Sequence, residues 1–225
     1  MEKEKKKWFG RQSGDAYSEG RLLGLVNITG NALLVGVLFL IGCIPVVTVG
    51  TSLSAFYYAM IKSVRKERGY PTKEFFRSYK RNLLKGIAYT VVLVLIGGLL
   101  VFNRFFYLAG QDGAAVVAVV AYDVMLVFFA AFMVWIFPVI SRFDFKAGTT
   151  ILLTFTIAAR FFYFTILLIA AWVLTIYLCL KLSVGFTLLI PPFVCYFSTF
   201  IIERAFGKYT PKPKDNEDGW YYDGE

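Results

Sequence analysis

The chain has 225 residues, 58% of them hydrophobic and 18% aromatic, whereas a soluble domain is roughly 45–50% apolar. It contains no histidine, which removes the commonest general base and metal ligand. Its net charge of +9 does not mark a nucleic-acid binder, because the 24 Lys and Arg residues track the ends of apolar runs.

Those runs are Leu22–Ile44, Val46–Val64, Gly86–Phe102, Ala114–Pro138, Phe161–Leu180 and Leu182–Ile202. A bilayer core of roughly 30 Å needs roughly 20 helical residues, and most of the runs reach that length. Strand alternation is absent, so a transmembrane barrel is not a serious competitor. The expected fold is all-α: a polytopic membrane protein of about six spans, the second short or broken, with one interfacial amphipathic helix. If the first span leaves the cytoplasm, all Lys and Arg except Arg104 and Lys181 fall on the inner side. The positive-inside rule then places both termini in the cytoplasm. The chain divides into a cytoplasmic arm over 1–20, one helical membrane domain over 21–205 and a disordered, proline- and charge-rich cytoplasmic tail over 206–225.

In the first span, Asn27 and Asn31 share a helix face. The span ends in "CIPVVTVGTSLSAFYY", where Pro45 cannot continue a helix ladder, Gly50 permits the backbone angles of a turn, and Thr51 is a good N-cap. The following helix, to Val64, is too short to cross alone. The Pro45–Gly50 turn is therefore expected within membrane depth, apolar because protein buries it. Thr51, Ala55, Ala59 and Ser63 recur every four residues and form a small-residue stripe for close helix approach. Ser54 and Tyr58 lie beside it, level with the two asparagines, which predicts a tight hairpin over 21–64 held by those carboxamides. The preceding "LIGC" has the form of a lipoprotein cleavage box. Position 43 lies beyond the usual 15–30-residue signal, however, and two asparagines interrupt the apolar core.

"GYPTKEFFRSYKRNLLK" predicts an interfacial helix capped by Thr72. Phe75, Phe76, Tyr79 and Leu83 make its apolar face, while Lys73, Arg77, Lys80 and Arg81 offer contacts to anionic inner-leaflet lipid or a partner. Residues 148–159 are either an inner-surface helix or an extension of the fifth span, and Pro191 and Pro192 should kink the sixth.

The arrangement resembles the YesL-like family of bacterial membrane proteins. The resemblance rests on the Asn-bearing first span, "CIPVVTVGTSLSAFYYAM", "FFRSYKRNLLKG" and "WIFPVISRFD", and covers roughly residues 8 to 205. It implies a multi-pass protein of the bacterial plasma membrane, often encoded beside carbohydrate-uptake transporters and polysaccharide-degrading enzymes. No catalytic residues are implied.

The sequence offers little chemistry. Cys43, Cys179 and Cys195 are scattered through apolar runs without metal or disulfide spacing. No carboxylates pair inside the membrane, and no phosphate-binding loop occurs. No metal, cofactor or catalytic residue is therefore expected, and the chain reads as non-enzymatic. Its expected role is an accessory to carbohydrate uptake or utilisation, contacting a sugar transporter complex through the basic 62–85 segment. The alternative is a small transporter or solute-binding protein that uses the Pro45–Gly50 broken helix and Asp123. Asp123 lies about ten residues into the fourth span, where an ionisable group is costly. Arg104 is the nearest cation but is expected to reach only part-way; Asn27, Asn31 and Thr48 complete the candidate binding set.

Overall fold

The computed structural model describes residues 15–110, 113–181 and 184–209, and every regular element among them is helical. Helix α1 spans Asp15–Gly42, and a 3-10 turn at Val46–Thr48 leads into α2, Val49–Ala59, which continues as a π-helical turn over Met60–Arg65. Next come α3 (Pro71–Arg81), α4 (Leu83–Leu108), α5 (Gly113–Arg142), α6 (Ala147–Arg160), α7 (Phe162–Lys181) and α8 (Val184–Phe206). Most of the expected N-terminal arm and nearly all of the expected tail lie outside the described residues.

Four helical stretches among the described residues are long and apolar enough to cross a membrane: α4, α5, α7 and the Leu188–Phe206 part of α8. The other two of the six expected spans correspond to α1, whose described apolar part is Val26–Gly42, and to α2. The 148–159 segment is a helix of its own, α6, parted from α7 by a break at Phe161. At 14 residues it reaches only about 21 Å. Helix α8 runs through both Pro191 and Pro192, which are buried, with Pro192 packed against Gly36 of α1.

Helix α2 is the axis of the molecule. From Gly50 to Val64 every residue except Leu53 and Lys62 is buried. Its small residues make this possible. Ala55 and Ala59 lie against Ala32 and Val35 of α1 and Phe75 of α3, and Phe39 stacks on Phe56 with centroids 4.6 Å apart. On the opposite side Tyr57 and Ile61 join Trp135 and Val139 of α5 and Ile202 and Phe206 of α8. The α1–α2 hairpin is therefore held by apolar packing, not by the asparagines. Ala32 and Val35 occupy the face toward α2, which leaves Asn27 exposed and Asn31 half-buried. Ser54 turns back on its own helix and donates to Thr51 O at 2.9 Å.

The turn before α2 also differs from expectation. Ile44 and Val46 are 77% and 70% exposed, so the turn is apolar because it faces outward, not because protein covers it. Part of its backbone is paired locally: Thr48 N donates to Pro45 O at 3.0 Å, and Thr48 Oγ1 lies 2.9 Å from Gly42 O and 2.8 Å from Pro45 O. With those groups paired, the side chains are free to meet hydrocarbon. Gly50 and Thr51 belong to the helix rather than the turn. Positive φ among the described residues is confined to Glu67 and Gly69. Gly50 is needed for close approach instead, since a Cβ there would lie 2.2 Å from both the Phe137 ring and Thr90 Oγ1. Its N–H donates to Thr90 Oγ1 at 3.0 Å. Thr51 caps nothing; its hydroxyl reaches Leu83 O at 3.3 Å.

Helix α3 starts at Pro71 after Tyr70, so Thr72 lies inside the first turn rather than capping it. Proline suits that position because its missing N–H would be unpaired there anyway. The buried side is Glu74, Phe75 and Ser78, followed by Asn82, whereas Phe76 is 46% exposed. The face is thus rotated from the one expected, because the acid Glu74 is drawn inward by a lysine of α2.

Candidate functional site: buried charge pairs and an apolar cavity

Arg142 ends α5, and such residues normally extend toward headgroups. Here the last turn of α8 brings Glu203 beneath it. Arg142 Nη1 donates to Glu203 Oε1 at 2.9 Å and Oε2 at 3.0 Å, and Tyr57 of α2 donates its hydroxyl to Oε1 at 3.2 Å. The two charged side chains are only 6% and 12% exposed. Trp135, Val139, Ile202 and Phe206 enclose the group, so three helices are joined at a desolvated point where each charge answers the other.

The ring of Tyr57 also walls a cavity of about 250 Å³ between α2, α5, α7 and α8. Phe56, Val134, Pro138, Trp172 and Cys195 form much of the rest of its wall. Pro138 has no N–H to return to Val134, which leaves that carbonyl without its helical donor. The wall is otherwise predominantly apolar. It suits a hydrocarbon chain or ring better than a free sugar, whose hydroxyls would lose their water partners there.

A second cluster lies at the end of α2. The π-helical turn carries Lys62, whose Nζ pairs with Glu74 Oε2 at 3.0 Å, with side chains 14% and 8% exposed. Single π-helical turns recur at functional positions. Lys62 and Arg81 both lie over the ring of Tyr58, at 5.5 and 5.6 Å, and Arg81 Nη2 donates to Ser141 O at 2.9 Å. Ser63 donates to Gly69 O at 2.6 Å and Arg65 to Thr199 O at 3.3 Å. Lys73, Arg77 and Lys80 remain exposed on the outer side of α3. Nearby, Lys85 hydrogen-bonds Asp144, and that contact holds the Asp144 carboxyl below the usual carboxylate range. The pair therefore stabilises at neutral pH and fades as pH falls through the lowered value.

Asp123 and Arg104 do meet. Arg104 Nε donates to Asp123 Oδ1 at 2.5 Å across the α4–α5 hairpin, so the arginine reaches the whole way. The structure does not gather the rest of the expected binding set around them. Thr48 ties the turn after α1, Asn27 and Asn31 lie along α1, and Arg81 is turned into the second cluster while Lys73, Arg77 and Lys80 face out. Sequence reasoning missed Tyr57, Lys62, Glu74, Arg142 and Glu203. One signal was present: "IIERAF" puts the acid Glu203 in the last apolar turn of one run, as "FPVISR" puts the cation Arg142 at the end of another.

Among the described residues no group of three or more His, Cys, Asp or Glu is placed to hold a metal ion. Residues 30–104 match the family described as "Protein of unknown function, DUF624". The matched stretch covers the end of α1, the turn, α2, α3 and most of α4, and so includes Lys62 and Glu74 but not Arg142, Asp123 or Glu203. No curated protein and no solved structure matches the chain.

Proposed function

We propose that this multi-pass membrane protein is a non-enzymatic accessory to carbohydrate uptake or utilisation in a bacterial plasma membrane, docking a sugar transporter through α3. The observation that carries the reading is the contrast across that helix. Its inner side is pinned by the Lys62–Glu74 pair, while Lys73, Arg77 and Lys80 stand out as a fixed cationic face. A rigid face loses little entropy on docking, and its charge suits an acidic protein surface framed by anionic inner-leaflet lipid. The link to carbohydrate rests on the YesL-like resemblance.

The test is affinity purification of the full chain from its native host. Wild type is expected to retain sugar-transporter subunits, and the K73E/R77E/K80E variant to lose them at unchanged membrane abundance. Equal retention by both, or no transporter subunit with wild type, overturns the docking role. A second reading, a small solute-binding protein or transporter, draws on the 250 Å³ cavity. A ligand-dependent rise in the unfolding temperature of the isolated protein, with no co-purified subunits, would favour it.

The same reading places both termini and the α3 face in the cytoplasm, as the basic residues require. A reporter fused after Glu225 is expected to behave as cytoplasmic and one inserted at Gly110 as external. The reverse pattern would put α3 on the wrong side for the inner leaflet.

A further inference from the structure

Buried residues on α4 stop at Leu93, and on α5 they are Ala115 and the stretch from Trp135 to Ser141. Across 94–108 and 116–127 no residue is buried. This outer part of the α4–α5 hairpin is held together by contacts between its own two helices. Tyr107 stacks on Tyr122 at 5.8 Å, Gly97 lies under the Phe129 ring, and Arg104 pairs with Asp123.

Exposed valines and leucines are at home in hydrocarbon; the ion pair is not. The Arg104 and Asp123 side chains are 30% and 48% exposed; Asp123 lies ten residues beyond the start of α5, roughly 15 Å, and Arg104 reaches it from four residues before the end of α4. A guanidinium has five N–H donors, and a carboxylate has two acceptor oxygens. Nε and Oδ1 are satisfied by each other. Lipid tails supply no partner for what remains, so a half-exposed pair at this depth is costly unless something polar covers it.

We propose that a second copy of this chain covers it, in a parallel two-fold dimer in which Arg104 and Asp123 of each copy complete those of the other. Two features select a second copy. The contact between guanidinium and carboxylate puts both charges at one depth, and a two-fold axis along the membrane normal preserves depth. The partner charges therefore arrive at the right level without further design. The pair is also self-complementary: rotation about that axis sets each arginine against the other copy's aspartate, giving four alternating charges, where a patch of one sign would repel itself. Val116, Val120 and Val124 form an exposed stripe beside the pair on α5 and provide the flanking apolar contact.

The experiment uses the full chain in liposomes. Subunit number is read by single-molecule photobleaching over a series of protein-to-lipid ratios. Wild type is expected to be dimeric, and R104L/D123L to shift dissociation by about tenfold, as loss of interhelical polar contacts in a membrane does. The swap R104D/D123R keeps four alternating charges and should dimerise like wild type. A second measurement does not depend on those variants folding. With Cys43, Cys179 and Cys195 replaced by alanine, V120C and V124C should each form a disulfide-linked homodimer in native membranes. A monomeric wild type at every density, a double-leucine variant that dimerises undiminished, or cysteine cross-links only to a different protein would overturn the proposal.

Discussion

Replacing Glu203 by leucine is expected to destabilise the folded protein by about 3–5 kcal/mol, because it removes one partner of a buried ion pair. The Arg142 side chain is 6% exposed and reaches both carboxylate oxygens of Glu203, and Tyr57 loses its acceptor at the same time. The readout is the unfolding temperature of the full chain in one detergent, compared with R142L/E203L. The double variant should recover most of the loss, since two apolar side chains of similar size remove both buried charges together. If E203L unfolds at the wild-type temperature, the pair is solvated and does not join α5 to α8. If the double variant is as weak as the single, packing around Glu203 matters more than its charge.

Gly86→Ala should produce the second large loss, about 3 kcal/mol, at the upper end of what overpacking costs. A Cβ at this position of α4 would lie 2.7 Å from Thr51 Cα and 2.9 Å from Thr51 N. Backbone atoms cannot swing aside as a flexible side chain can, so α2 and α4 must separate. The separation would also stretch the Gly50–Thr90 and Thr51–Leu83 hydrogen bonds. Gly98→Ala on the same helix is the control: nothing lies within 4 Å of its Cβ position, and alanine's better helix propensity should leave stability equal or slightly raised. Equal effects at the two positions would mean that the loss reflects helix propensity and not the contact with α2.

The two predictions mark where sequence reading stopped. That the protein is helical and membrane-embedded was legible from run length alone, because a bilayer demands long apolar helices whatever their neighbours. The small residues at Thr51, Ala55, Ala59 and Ser63 were legible as a packing stripe because four-residue spacing puts them on one helix face. The partners of that stripe were not. Asn27 and Asn31 were level with α2 by counting, but rotation of α1 about its axis is set by Ala32, Val35 and Phe39 packing on Ala55, Phe56 and Ala59. A one-dimensional pattern does not state that rotation. The turn at Ile44–Val47 failed differently, since apolarity marks exclusion from water and reads the same whether protein or lipid provides it.

The charges divide along the same line. Sequence by itself determined which residues are ionisable, that most of the cations fall outside the apolar runs, and that Asp123 is anomalous inside one. The last two follow from the cost of placing a charge in hydrocarbon, a property of a residue and its depth. Only the tertiary structure decided which charges answer one another. Arg142 with Glu203 and Lys62 with Glu74 are 61 and 12 residues apart in the chain. Ion pairing acts over a few ångströms between side chains, and what brought these within reach was the packing of α8 and α3 around α2.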